Sequence, residues 1–183
     1  MNTIIENIKK RRSIRDYKKE QIKEEELQAI LEAAIYAPSG CNAQSWHFTV
    51  IQDRELINLM SNVAKEKLKT SSDEGFRNMA NNKDLDLTHG APTLVVVSGR
   101  QDAYSPLTDC SAAIQNMLLV AESLDIGSLW IGLIGLSFDH EEVARKLNIP
   151  EGYKPYYGVA FGYKGSGEVR APRRKENVIS YIR

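Results

Sequence analysis

Arginine and serine are concentrated in residues 11–15, where the chain reads Arg-Arg-Ser-Ile-Arg. Three guanidinium groups and a hydroxyl this close together suit phosphate binding, because the planar guanidinium donates paired, charge-assisted hydrogen bonds. A second basic segment, residues 173–175, lies near the other end of the chain. We expect both segments to contribute to one anion site. Its candidate residues are Arg11, Arg12, Ser13, Arg173 and Arg174.

The overall charge conceals this concentration of basic residues. The 183 residues include 24 Lys and Arg and 24 Asp and Glu, so the formal net charge is zero. Residues 9–19 nevertheless hold seven basic residues and one acidic residue, and residues 170–175 hold four basic residues and none that is acidic. A general polyanion binder carries a clear basic excess, so nucleic acid is not the expected partner. A nucleic-acid binder acting through residues 9–19 stays open as an alternative, and it predicts strongly salt-dependent binding to any DNA.

A polar loop precedes a predicted strand at residues 38–46, which read PSGCNAQSW. Hydroxyl and amide side chains suit hydrogen bonding to a neutral polar ring edge or a polyol. The candidate binding residues of this loop are Ser39, Asn42 and Gln44. Cys41 is a candidate nucleophile, but no base lies near it in sequence, so we assign it no catalytic role.

Recognisable catalytic motifs are missing from the sequence. His47, His89 and His140 lie far apart, and there is no zinc-ligand spacing, nucleophile elbow or phosphate-binding glycine loop. We therefore expect neither a metal nor a catalytic side chain. If the protein is an enzyme, a cofactor carries the chemistry.

Hydrophobic periodicity predicts one α+β domain, residues 1–183, with helices flanking a sheet. The first predicted helix begins at the capping-box spacing of Thr3 and Glu6. Further helices are predicted over about 23–37, 53–69, 109–124 and 139–147, and strands over 46–51, 93–99, 128–135 and 156–163. Residues 70–90 are polar and weakly patterned, which predicts a mobile loop or lid.

Composition indicates a cytoplasmic protein with a conventional core. Apolar residues make up 42% of the chain and charged residues 26%, as in ordinary globular domains. Two cysteines, Cys41 and Cys110, are too few for a disulfide scaffold. The sequence has no secretory signal pattern at its N-terminus and no apolar run of membrane-spanning length, so we expect no membrane association.

The C-terminal segment, residues 168–183, is more apolar than a free tail should be. Its last eight residues include Val178, Ile179, Tyr181 and Ile182. The segment packs either on its own domain or on a second copy of the chain. We favour the second copy, so that residues 168–183 form a dimerisation arm.

Five blocks of the sequence together resemble the FMN-dependent nitroreductase family, and they occur in that family's order. The blocks are RRSIRDY at 11–17, PSGCNAQSW at 38–46, GAP at 90–92, residues 109–132 and PRR at 172–174. The resemblance implies an α+β nitroreductase-like fold, with a mostly antiparallel central sheet flanked by helices. It also implies an intertwined homodimer with exchanged C-terminal arms, in which two FMN sites lie at the interface.

The resemblance assigns phosphate-binding roles by matching position. Arg11 and Ser13 would bind the FMN phosphate, and Arg12 would lie beside it. Arg173 and Arg174 would close on the same phosphate from the C-terminal side.

The resemblance also assigns the contacts to the flavin ring. Arg15 would reach the pyrimidine edge. Four residues of the polar loop would contact ribityl or ring atoms of the flavin, and some of these contacts would be made by the loop of the other subunit. The four residues are Pro38, Ser39, Asn42 and Gln44. Backbone N–H groups near the flavin N5 would come from Ile131, Gly132 and Leu133.

The implied activity is that of an FMN-dependent NAD(P)H oxidoreductase. NADH or NADPH would deliver a hydride and leave, and a nitroaromatic, quinone or similar acceptor would then be reduced in the same site, which is a ping-pong mechanism. A flavin-fragmenting or dehalogenating relative is the alternative within the fold.

The sequence departs from the family pattern at Ser45, which stands where the family often has proline and is expected to loosen the loop. Further contacts to flavin or substrate are available from Arg77, Asn78 and Asn81 in the 70–90 segment.

Overall fold

A four-stranded antiparallel sheet forms the centre of the computed structural model, which describes residues 2–167 and 169–183. The strands are β1 (Trp46–Ile51), β2 (Thr93–Arg100), β3 (Ile126–Ile131) and β4 (Tyr153–Tyr163). Their spatial order is β1-β2-β4-β3, so β1 and β3 are the two edge strands. The predicted α+β class with an antiparallel sheet is confirmed.

Six α-helices occur in the described part of the chain. They are α1 (Thr3–Lys10), α2 (Glu24–Ile35), α3 (Arg54–Leu68), α4 (Glu74–Asn81), α5 (Pro106–Ser123) and α6 (Glu141–Leu147). Two short 3-10 helices, Gly40–Asn42 and Leu133–Ser137, complete the regular structure. The predictions for α2, α3 and β1 agree with these bounds to within about two residues.

The sheet has a hydrophobic core on each face because β2 is buried on both sides. Successive side chains of a strand point to opposite faces. Val95 and Val97 accordingly pack against α2 and α5, whereas Leu94 and Val96 pack against α3 and α6. All four side chains are fully buried, which explains why residues 93–99 form a continuous apolar run rather than an alternating one.

The prediction of a loop throughout residues 70–90 is wrong in its central part, where α4 forms. The Asp73 side chain caps this helix by accepting a hydrogen bond from the Phe76 N–H at 3.1 Å. Buried Lys65 of α3 donates to the carbonyl oxygens of Asn82 and Leu85 at 2.8 and 2.6 Å. The segment is therefore fixed by a helix cap and by backbone contacts that a hydrophobic pattern does not encode.

Several predicted boundaries need correction. Asn2, not Thr3, caps α1, since its side chain accepts from the Ile4 N–H at 2.8 Å. His140, not Asp139, precedes the first residue of α6. The strand expected over 128–135 stops at Ile131 and turns into a 3-10 helix, and α5 begins at Pro106 rather than at residue 109.

The C-terminal segment, residues 169–183, has no regular secondary structure. Its apolar side chains are exposed in the single chain; Tyr181, for example, is 72% exposed. Packing of this segment on a second copy stays a prediction. Among the described residues, no helix combines the length and the apolar character needed to cross a membrane.

Candidate functional site

The Arg-Arg-Ser-Ile-Arg segment leaves the end of α1 and runs beside the sheet at β3. The Ile14 N–H donates to the Ser128 carbonyl oxygen at 3.0 Å, and Ser13 forms a parallel bridge with Ser128. Farther along, the Gly165 N–H donates to the Asp16 carbonyl oxygen at 2.9 Å. These backbone bonds fix the segment against one edge of the sheet and close to the residues that follow β4.

A cationic cavity of about 450 Å³ lies beside this segment. Arg12 contributes to its lining and also covers the C-terminal end of α1, donating to the carbonyl oxygens of Lys9 and Arg11 at 2.6 and 2.7 Å. Because a guanidinium has five N–H donors, Arg12 keeps donors for a ligand. The other charged or hydroxyl-bearing residues of the lining are Lys10, Ser13, Arg15, Asp16, Glu122 and Lys164.

Arg11 lies in a crowded group of positive charges. Burial lowers the pKa of its guanidinium, and the charges of Arg12 and Arg174 lower it further, while Glu122 acts in the opposite direction. The fold thus brings Arg174, from the C-terminal segment, to the residues at the end of α1. An anion bound among these groups would relieve their mutual repulsion.

Lys164 is held at the rim of the same cavity by two carboxylates. Its Nζ lies 3.2 Å from Glu122 Oε2 and 2.9 Å from Asp125 Oδ1. Partial burial alone would lower the pKa of Lys164, but the two hydrogen-bonded carboxylates raise it. Lys164 is therefore a positive group of the cavity that the sequence analysis did not assign to the site. Its position directly after β4 does not by itself indicate a binding role.

A second cavity, of about 320 Å³, shares Arg15 with the first and is mainly apolar. Its lining includes His89, Ile131, Gly132 and Leu133, together with the apolar residues Met79, Leu85, Leu87, Leu129 and Trp130. The Gly132 position opens onto free space, since a Cβ there would meet no atom within 4 Å. Leu133 begins a 3-10 helix, and the first N–H groups of such a helix have no partner inside it.

His89 adopts a left-handed backbone conformation (φ 53°) directly before the GAP block. Burial lowers the pKa of its imidazole, Arg15 lowers it further, and Asp86 opposes both. The lining of this cavity includes none of the three residues expected to provide further contacts, Arg77, Asn78 and Asn81. Arg77 instead donates to the carbonyl oxygens of Ser71 and Ser72 at 2.8 and 2.9 Å.

The 39–45 loop lies at the opposite edge of the sheet, just before β1. Cys41, Asn42 and Gln44 have positive φ angles of 53°, 53° and 44°. Each left-handed residue other than glycine costs about 1–2 kcal/mol, although asparagine tolerates the conformation better. Local bonds hold the turn, notably from the Gln44 N–H to Ser39 Oγ at 3.0 Å.

Asp109 of α5 anchors this loop through hydrogen bonds to its carboxylate. Its Oδ1 accepts from the Gly40 N–H at 2.9 Å and from Ser105 Oγ at 3.0 Å, and its Oδ2 accepts from Ser45 Oγ at 2.7 Å. Burial alone would raise the pKa of Asp109, but these three bonds lower it. Ser45, which we expected to loosen the loop, is completely buried and anchors it.

The expected site residues thus fall into two separate groups in the single chain. One group lines the two adjoining cavities: Arg12, Ser13, Arg15, Ile131, Gly132 and Leu133. Arg11 and Arg174 line neither cavity, but the charges of Arg12 and Arg174 both act on Arg11. The second group is the loop with Pro38, Ser39, Asn42 and Gln44, which precedes β1. Three strand spacings separate the edge strands β1 and β3, a distance of about 14 Å. Arg173 is exposed and lines neither cavity.

The sequence matches one family model over most of its length. The model is that of the nitroreductase family, and it covers residues 8–163. The chain belongs to the nitroreductase family. The match includes the arginine segment, the 39–45 loop and all four strands. The site residues outside it are Lys164, the cavity-lining residues that follow Lys164, Arg173 and Arg174.

Three similar proteins place the chain within this family. A crystallised nitroreductase with bound FMN from Bacteroides fragilis is 36% identical, with a TM-score of 0.90 and complete coverage of both chains. A protein of Archaeoglobus fulgidus with the provisional name NADH dehydrogenase/NAD(P)H nitroreductase is 34% identical, over 89% of this chain and 86% of its own length. An iodotyrosine deiodinase of Thermotoga neapolitana is 26% identical, over 99% of this chain and 98% of its own.

Proposed function

We propose that this nitroreductase-family protein is an FMN-dependent NAD(P)H oxidoreductase that reduces nitroaromatics, quinones or similar acceptors. One observation carries the proposal: a cationic cavity and a mainly apolar cavity adjoin at Arg15. A ligand with a phosphate at one end and a flat ring at the other matches this pairing. The bound FMN of the similar Bacteroides fragilis structure supports the same assignment.

The donor set of the cationic cavity fits a phosphate. Its lining gains positive charge from Lys10, Arg12, Arg15 and Lys164, and a hydroxyl from Ser13. The pKa of Arg11, next to this segment, is lowered first by burial and then by the charges of Arg12 and Arg174. A dianionic phosphate would offset that repulsion and accept several charge-assisted hydrogen bonds.

The second cavity fits a flavin ring. Trp130 and Leu129 belong to its mainly apolar lining, and the open position at Gly132 lets a flat ligand approach the backbone. Exposed Arg15 would place its charge at the pyrimidine edge, where it stabilises the negative charge that reduction brings. Bound FMN would supply the redox chemistry, accepting a hydride from NADH or NADPH and passing electrons to the acceptor.

The 39–45 loop would complete the site on a second copy of the chain. In its own chain the loop lies about three strand spacings from β3, too far to contact a ring beside Gly132. We therefore propose a homodimer in which the loop of one protomer faces the flavin of its partner. The predicted arm is residues 168–183, of which residue 168 lies outside the described part of the chain, and the exposed apolar residues of 169–183 would form its contact with the partner. We further propose that residues 1–183 form a single domain and that the protein is cytoplasmic.

Initial-rate kinetics test this activity. With FMN-loaded protein, NADH or NADPH and a nitroaromatic or quinone, the double-reciprocal plots are expected to be parallel, because both substrates use the same site in turn. Intersecting plots would contradict the shared site. Absence of turnover with every acceptor, in protein that holds FMN, would contradict the proposed activity.

Reductive dehalogenation is a second candidate, favoured by the iodotyrosine deiodinase that matches nearly the full length of this chain. The two activities differ in their products. Halide released from a halotyrosine, with no reduction of nitro compounds, would favour the dehalogenase. Reduction of a nitro group without halide release would favour the oxidoreductase.

A further inference from the structure

We infer that Asp109 is a positioning residue, which holds the 39–45 loop in the conformation that its contacts with FMN require. The inference rests on the proposed function, since it concerns the loop that the proposed site uses. Asp109 is only 2% exposed, so it does not touch a ligand itself. It acts through Gly40 and Ser45, which lie at the two ends of the turn.

Two of the three bonds to Asp109 connect the loop to a rigid element. Asp109 lies in the first turn of α5, the 18-residue helix that packs under the sheet. Its two oxygens accept hydrogen bonds from the Gly40 N–H and Ser45 Oγ, so one carboxylate holds both ends of a six-residue turn. Ser105, at the start of the helix, donates to the oxygen that also binds Gly40.

This anchor is needed because the turn is unfavourable by itself. Cys41, Asn42 and Gln44 all lie in the left-handed region, and such residues persist only where their surroundings fix them. The approach to α5 is also close, since a Cβ on Gly40 would lie 2.5 Å from Ser105 Oγ. Without Asp109 the turn would relax, and Asn42 and Gln44 would no longer point in fixed directions.

An ionised carboxylate suits this place better than other side chains. It accepts on both oxygens, and all three partners here are donors. Asparagine would retain the acceptor for Gly40, and the Ser45 hydroxyl would rotate to accept from its amide. Asp109→Asn is therefore a conservative variant, whereas Asp109→Ala removes every bond.

FMN and riboflavin titrations of the apoprotein, followed by flavin fluorescence, test the inference. Asp109→Ala is expected to raise Kd about tenfold or more for both ligands, because the loop contacts ribityl and ring atoms rather than the phosphate. Asp109→Asn is expected to restore most of the affinity. Ser45→Ala, which removes one bond, is expected to fall between the wild type and Asp109→Ala.

Asp53→Ala is the matched control. Asp53 caps α3 by accepting from the N–H groups of Glu55 and Leu56, so the variant loses stability without touching the loop. Hydrogen exchange at Asn42 and Gln44 in the apoproteins is expected to speed up in Asp109→Ala and to stay unchanged in Asp53→Ala.

The outcomes separate this inference from the proposed function. If the wild type binds neither flavin, the proposed function fails. If the wild type binds FMN and Asp109→Ala weakens it no more than Asp53→Ala, the positioning role is overturned. The role is also overturned if Asp109→Asn remains folded but raises the Kd for flavin as much as Asp109→Ala does. If Asp109→Ala does not fold, the Kd values of Ser45→Ala and Asp109→Asn are compared with that of Asp53→Ala instead.

Discussion

Arg174 lies close enough to Arg11 to contribute to the lowered pKa of the Arg11 guanidinium. The two residues come from opposite ends of the chain, and burial is the largest cause of the shift, followed by Arg12. Two basic segments that appear unrelated in sequence therefore meet at one place. The cavity beside this meeting point has four basic and two acidic residues in its lining, although the net charge of the whole chain is zero.

Arg11 is expected to distinguish FMN from riboflavin. Arg11→Ala should weaken FMN binding about 10- to 100-fold, the loss of one charge-assisted hydrogen bond, and should leave riboflavin binding unchanged. Lys19→Ala serves as the control, because Lys19 is an exposed residue of the same basic segment that lines neither cavity and is not among the charges that shift the pKa of Arg11. Equal losses for the two flavins would show that Arg11 does not contact the phosphate.

Asp86 is expected to stabilise the folded protein in a pH-dependent way. Its carboxylate accepts from Thr88 N–H and Oγ1 and from Gly90 N–H at 2.7 to 2.9 Å. Burial alone would raise the pKa of Asp86, but these hydrogen bonds, together with one from Ser61, outweigh burial and lower the pKa below its usual value. A lowered folded pKa gives stability that is complete above the unfolded value of about 3.9 and is lost as the pH falls through the folded value.

Asp86→Asn should therefore reduce the free energy of unfolding by about 1 kcal/mol at pH 7. Denaturant titrations at pH 7 and at pH 3 measure the effect. The difference from the wild type should shrink at pH 3, because this pH lies below the unfolded pKa of about 3.9 and the unfolded carboxylate is then mostly protonated. A difference that grew on acidification would contradict the assignment.

The C-terminal segment is expected to maintain the homodimer. Ending the chain after Gly167 should convert dimer to monomer in sedimentation experiments, because residues 169–183 carry the exposed apolar side chains. A full-length chain with Tyr181→Ser and Ile182→Ser should weaken the dimer without shortening it. A truncated protein that remained a dimer with bound FMN would refute the arm.

The two cysteines are expected to differ in reactivity. Cys41 is exposed, whereas Cys110 is fully buried, and burial followed by the nearby charge of Asp109 raises its pKa to about 12. A thiol reagent should modify Cys41 in the native protein and Cys110 only after denaturation. Cys41→Ser should keep the reductase rate within about twofold, since no nucleophilic thiol is required. Loss of turnover in that variant would reopen the nucleophile hypothesis.

Much of the fold could be predicted from hydrophobic pattern. The helix at 24–35 buries Leu27, Ile30 and Ala34 on one face, so its period is visible in the sequence. The strand at 46–51 is recognisable from its aromatic and β-branched residues, although its two buried ends, Trp46 and Ile51, lie on opposite faces of the sheet. Helix α4 was missed because its eight residues bury only Ala80 and depend on Asp73 and on Lys65 of α3. Contacts of that kind are tertiary and leave no local pattern.

The site could be predicted only in part, for a related physical reason. The resemblance identified residues by type, and the structure brings Arg12, Ser13, Arg15 and Gly132 to two adjoining cavities. Asp109 was not singled out, because the sequence gives no sign that a helix carboxylate lies beneath a loop 69 residues away. A buried residue acting through backbone bonds is recognisable only once the fold is known.

The central claim is tested most directly by the absorption spectrum of the protein loaded with FMN and then mixed with NADH or NADPH without oxygen. We predict that the protein takes up about one FMN per chain, loses its yellow colour on addition of the nicotinamide, and regains it when a nitroaromatic or quinone is added. A protein that takes up no FMN, or one whose bound FMN is not reduced by either nicotinamide, would contradict the proposed function.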